Sequence, residues 1–237
     1  MPPQAIQYSL GEMTFHGHLA LPDSAGKRRP GVLVGPEWWG LNAYAKSRAD
    51  QLAQSGYAAL AIDMYGDGKT TADPATASAW ASTTRTGPVA RERVTRALQW
   101  LQEHPAVDPD RIGGVGFCFG GSVMLELARS GAAVRGVASF HGALATPLPA
   151  RKGVLRASVL VLHGADDPWV SAEEVQTFQS EMREAGADWQ VCLYGNTVHS
   201  FSNPDVDALK IPGLAYNASA ARRGWHTFEQ FLAEALA

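Results

Sequence analysis

The chain has little cysteine, no long apolar run and no large excess of either charge, and each shortage removes a class of protein. Two cysteines in 237 residues, Cys118 and Cys192, make a disulfide framework an unlikely basis for the fold. A formal net charge of -3 gives nucleic acid or an anionic membrane no electrostatic footing, so neither is expected as a partner. No apolar stretch approaches membrane-spanning length, and Met1-Pro2-Pro3-Gln4 lacks a basic stretch leading into an apolar core, so a cytoplasmic location is expected. Internal repeats, low-complexity tracts and linkers are missing too, and residues 1–237 are expected to form one domain.

What is present is a large apolar share, 46% of residues, cut into short runs that alternate with helical patterns. Residues 5–10 and 13–21 flank a Gly-Glu turn and predict an antiparallel hairpin. Residues 22–29 form a polar turn. The wholly apolar run at 31–35 predicts a buried strand of the parallel kind. A helix over 42–55 ending at Gly56 and a strand over 57–63 follow. Residues 64–87 read as irregular, with some helix from Asp73. Pro88 suits a helical first turn, continued by Val94, Leu98 and Leu101 at helical spacing. Strands are predicted at 111–117, 134–140, 158–163 and 188–194. Helices are predicted at Phe119–Arg129, Ala172–Ala185 and 215–236. This alternation implies an α/β fold with a mostly parallel central sheet and helices on both faces.

Between the strand at 111–117 and the next helix stands Gly116-Phe117-Cys118-Phe119-Gly120-Gly121. A chain that reverses sharply from strand to helix needs glycine where a Cβ would collide. Such a turn lifts the side chain of Cys118 above the sheet, at the positive end of a helix dipole that favours a thiolate. It is a nucleophile elbow with cysteine in the serine position. A buried core cysteine beside a glycine turn is the plainer alternative, and Cys192, within a strand, is expected to be a small core hydrophobe.

In open α/β sheets the site lies past the C-terminal strand ends, and the hydrolase order is nucleophile, acid, histidine. Past the strand at 158–163 come Asp166 and Asp167. Asp167 stands three residues after Gly164 and is favoured as the acid, while either could cap a turn. Of the seven histidines, His16, His18, His104, His141 and His163 precede that acid, and His226 lies on the last helix. His199 follows the last strand in a loop and is the expected base. His141 and His163 sit at strand ends and could line a pocket. After the first central strand, Glu37-Trp38-Trp39-Gly40 occupies the place where a second oxyanion donor is built, so the amides of Trp38 and Phe119 are expected as donors. Glu37 could instead favour the N-terminus of the helix that follows.

These segments, with Asp63-Met64-Tyr65-Gly66 and His199-Ser200-Phe201, closely resemble the dienelactone hydrolase family over nearly the whole chain. The resemblance implies an α/β-hydrolase fold and a Cys118–His199–Asp167 triad acting on small esters or lactones, with no cofactor or metal. It gives Glu37 the task of holding the resting thiol inward until substrate displaces it. Tyr65, Trp38 and Trp39 would line the substrate pocket, and Phe201 and His141 are expected beside them. Family members that hydrolyse dienelactone have an arginine four residues after the histidine, where Asn203 stands here. A cation for a substrate carboxylate would then have to come from Arg85 or Lys69, and carboxylated substrates are not expected to be preferred. General carboxylesterase or thioesterase activity and non-catalytic ligand binding are the alternatives.

Overall fold

The computed structural model describes residues 2–23 and 27–237. Among these residues eight strands share one sheet: β1 (Gln4–Leu10), β2 (Met13–Ala20), β3 (Arg29–Gly35), β4 (Ala58–Ala61), β5 (Val107–Phe117), β6 (Gly136–Phe140), β7 (Ser158–Gly164) and β8 (Trp189–Tyr194). Their order is β1-β2-β4-β3-β5-β6-β7-β8. The β1–β2 and β2–β4 pairings are antiparallel; from β4 to β8 all are parallel. This is the α/β-hydrolase arrangement, with the β1–β2 hairpin forming one edge. The predicted turn at 22–29 includes residues 24–26, which lie outside the described residues.

Among the described residues six α-helices cover the sheet: α1 (Ala43–Gln54), α2 (Pro74–Thr84), α3 (Gly87–Glu103), α4 (Phe119–Arg129), α5 (Ala172–Ala185) and α6 (Ala218–Ala235). Strand periodicity divides the core between two faces. Leu33 packs on one side with Val94 and Leu98 of α3, Val123 of α4 and Phe178 of α5. Val32 and Val34 pack on the other with Ala45 and Leu52 of α1 and Phe228 and Leu232 of α6. Each large side chain withdrawn from water here contributes roughly 1.5–3 kcal/mol. Among the described residues, no helix is long and apolar enough to cross a membrane.

Helix ends explain where the chain stops and turns. Asn42, Asp73, Ser171 and Asn217 accept hydrogen bonds from the third residue beyond them and start α1, α2, α5 and α6. Gly186 ends α5 in the left-handed conformation. Helix α4 differs. Its first flanking residue is Cys118, no side chain caps it, and all eleven of its residues are buried.

The segment 64–87 is more ordered than its composition suggests. Asp63 is fully buried, and its carboxylate takes the amides of Tyr65, Gly66 and Gly68. Strand β5 begins at Val107, earlier than expected, and a shift of register between Pro30 and Gly31 accommodates the added length. A short 3-10 helix, Val206–Leu209, was not foreseen, since four residues carry no periodic signal.

Candidate active site

The sheet delivers the candidate residues at the C-terminal ends of β3, β5, β6, β7 and β8. Cys118 sits at the turn from β5 to α4 with φ 52° and ψ -115°, a region costly for any residue with a Cβ. The turn closes only because its neighbours are glycines. A Cβ on Gly116 would strike the carbonyl of Gly120, and one on Gly120 would strike the backbone of Gly35. That second contact brings the end of β3 against the start of α4, so Trp38 and Phe119 come together at the cavity. Among the described residues, neither amide has a hydrogen-bond acceptor.

His199 lies in the loop after β8, 3% exposed, and its Nδ1 is 2.7 Å from Oδ2 of Asp167. The other carboxylate oxygen of Asp167 accepts the amide of Trp169 at 2.8 Å. Asp166 is exposed and its side chain is not part of this pairing. Nε2 of His199 is buried without a hydrogen-bond partner among the described residues. Burial alone would lower the imidazole pKa. Cys118 first and Asp167 second outweigh burial and raise it to about 10.

A cavity of about 110 Å³ opens over Cys118 and His199. Trp38, Phe119, Trp169 and Val170 give it apolar walls, Ala81 and Arg85 bring the end of α2 to its rim, and Ser122 and Ala143 complete it. Ser122 Oγ donates to the carbonyl of Ala143 at 2.8 Å. The loop bearing Ala143 is pinned by buried charge: Arg129 donates to the carbonyl of Leu144 and forks onto Glu181, and Glu174 accepts the amides of Leu144 and Ala145.

Several expected pocket residues do not line this cavity. Tyr65 is buried against Trp80 and Phe119, and its hydroxyl donates to the carbonyl of Trp38 at 2.9 Å, so it supports the loop at 36–40 from behind. Trp39 is buried against the edge of Trp38. Phe201 is fully buried among Phe140, His141 and Tyr194. His141 is fully buried and faces the elbow backbone. Asn203 is buried and donates to Oε2 of Glu37 at 2.7 Å. In each case a strand-end or loop residue turned toward the core rather than the opening. Lys69 pairs with Asp67 at an exposed position. Arg85 is the expected cation that does reach the cavity.

Glu37 is 2% exposed, and both its oxygens are engaged, Oε1 by Ser200 Oγ at 3.1 Å and Oε2 by Asn203. Burial raises its pKa against the lowering effect of those two donors. Among the described residues no hydrogen bond joins it to the thiol of Cys118, and it does not cap α1, which Asn42 caps. Trp169 was missed by the sequence reading. It is 41% exposed and its ring lies 4.8 Å from that of His199 and 5.8 Å from that of Trp38. Its position two residues after Asp167 was the available signal. Cys192 is a free, partly buried thiol packed on the α1/α6 side of the core.

Residues 15–236 match the model of the dienelactone hydrolase family. The chain belongs to that family. Members are α/β-hydrolases, and the chain is accordingly a carboxylic ester hydrolase. A dienelactone hydrolase-like promiscuous phosphotriesterase from metagenomic libraries superimposes with a TM-score of 0.92 at 40% identity, covering 100% of this chain and 99% of its own. A Bradyrhizobium protein named "Probable 2-oxo-3-(5-oxofuran-2-ylidene)propanoate lactonase" is 30% identical over 222 residues, 88% of this chain and 85% of the relative. A thermophilic esterase of Thermogutta terrifontis, 17% identical with a TM-score of 0.71, shares the fold.

Proposed function

We propose that this dienelactone hydrolase family member cleaves small esters or lactones through a thioester on Cys118, with His199 as base and Asp167 orienting it. The observation that carries the reading is the His199–Asp167 pair at 2.7 Å with Nε2 left unpartnered at a cavity that also holds an elbow cysteine. Sγ of Cys118 attacks the carbonyl carbon as a thiolate, its proton already held on Nε2 of His199. The oxyanion is received by the amides of Trp38 and Phe119. Collapse expels the alcohol, which takes the proton from His199. Water, deprotonated by the same imidazole, then attacks the thioester and releases the acid and the thiol.

The cavity limits the substrate to a small acyl portion against apolar walls, with Arg85 at the rim to meet an anionic group. Glu37 works in this reading as a brace between the oxyanion loop and the histidine loop. The gating task would require its carboxylate to leave Ser200 and Asn203 for the thiol. Neutral phosphotriesters are a second substrate class, supported by the full-length likeness to the phosphotriesterase and by walls that carry no charge except at the rim.

Mass spectrometry during turnover of an activated aryl ester tests the proposal. A transient acyl adduct on the Cys118 peptide that decays at the turnover rate is expected. A stalled adduct would favour a ligand-trapping protein, and turnover without any adduct would sink the covalent route.

A further inference from the structure

We propose that His141 is a positioning residue, a neutral imidazole protonated on Nε2 that ties the backbone of the elbow to the loop carrying His199. The inference rests on the reading of Cys118 and His199 given above and adds a residue to it. His141 follows β6 with φ 41°, a left-handed conformation uncommon outside glycine. The side chain is fully buried and does not line the cavity. Its two ring nitrogens are both used.

Nδ1 lies 3.2 Å from the amide nitrogen of Cys118. An amide can only donate, so Nδ1 must accept and carries no proton. Nε2 lies 2.8 Å from Oγ of Ser202 and therefore holds the proton and donates it there. Ser202 stands three residues beyond His199 in the same loop. Its Oγ also meets the hydroxyl of Tyr44 at 2.8 Å, and Arg48 donates to its carbonyl at 2.8 Å. The chain of contacts thus runs from α1 through the histidine loop and His141 to the peptide that holds the thiol.

The Cys118 amide donates to the carbonyl of Phe140 as well, at 2.9 Å, so His141 supplies a second acceptor to a strained turn. Protonating the ring would convert that acceptor into a donor and oppose the Cys118 amide. The groups that bear on the ring are His199 from the loop, with ring centroids 5.3 Å apart, His163 from β7 and Arg48 from α1. Burial first, and then these three cations or potential cations, hold its pKa well below the ordinary histidine value.

Long-range ¹H–¹⁵N NMR of the whole protein labelled in histidine reads the tautomer directly. His141 is expected to stay neutral, with the proton on Nε2, throughout the range from about pH 5.5 to 9. A proton on Nδ1, or titration inside that range, would overturn the proposal whether or not Cys118 is the nucleophile. His141→Phe keeps a ring of similar size and loses both nitrogens. It is expected to lower kcat about 10- to 100-fold with KM nearly unchanged, and to slow iodoacetamide alkylation of Cys118 at neutral pH. His141→Gln, which can still donate to Ser202, should recover part of kcat. A purely structural role would lower Tm and leave kcat and alkylation alone, and that result in a folded His141→Phe protein would overturn the assignment. Should that variant fail to fold, the NMR measurement on the unaltered protein decides the question.

Discussion

The buried floor of the site and its exposed rim are built by different forces. On the floor, Cys118, His199, Asp167 and Glu37 are fixed by hydrogen bonds of 2.7–3.2 Å running among five strand ends. At the rim, Arg85 is exposed at the end of α2, and beside it the half-exposed ring of Trp169, whose amide is tied to Asp167, is set by ring contacts with Trp38 and His199. Directional bonds in a dry environment leave few alternative positions, whereas ring contacts on a half-exposed side chain can be remade. The floor is therefore suited to chemistry and the rim to selecting substrates. Substitutions on the floor should strike kcat; those at the rim should strike KM.

The largest effect should follow Cys118→Ala, with a loss of at least about a thousandfold in kcat and the fold retained. Cys192→Ala should retain wild-type rates, and loss of activity there with the fold intact would move the nucleophile. Asp167→Asn comes next, lowering kcat by about 10²- to 10⁴-fold with KM nearly unchanged, as measured with an aryl ester. His199, through Cys118 first and Asp167 second, also governs stability against pH. Because the folded-state pKa of His199 is raised to about 10, its contribution is fully present below the ordinary histidine pKa and is lost as pH rises through about 10. Thermal melts of wild type between pH 7 and 11 should fall more steeply than those of His199→Gln, and parallel curves would refute the coupling.

Glu37→Gln should cost about 0.5–1.5 kcal/mol, because the amide oxygen still accepts from Asn203 while the Ser200 hydroxyl must turn to accept from the new amide nitrogen, and the charge that strengthened both bonds is lost. Lower Tm, turnover slowed about tenfold and unchanged alkylation of Cys118 are expected. Faster alkylation in that variant would put the carboxylate on the thiol and restore the gate in place of the brace. The smallest effect belongs to the rim. Arg85→Ala should raise KM up to about tenfold for a carboxylated lactone and leave a neutral ester unchanged. An equal effect on both substrates would show that Arg85 shapes the wall and does not read charge.

The elbow was legible because it is local. Gly116, Gly120 and Gly121 around a strand-to-helix switch specify a backbone shape within six residues. The order of Cys118, Asp167 and His199 followed from topology, since parallel strands send their C-terminal ends to one edge. Residue type and rough position did not reveal which way a side chain would face. His141, Tyr65, Phe201 and Asn203 all occupy plausible positions past strand ends, yet each turned into the core, where a partner awaited it from a distant segment.

Asn203 shows the difference most clearly. By sequence it was a missing arginine, a site lacking its cation. In the fold it is the buried donor to Glu37 across 166 residues, while the cation at the cavity comes from Arg85 at the end of α2. Periodicity, glycine spacing and chain order by themselves determined the sheet, the helices and the position of the thiol, because those depend on neighbours in sequence. Only tertiary packing decided which polar groups found one another, because a buried hydrogen bond is chosen by what lies within 3 Å in space, and side chains so paired can be anywhere along the chain.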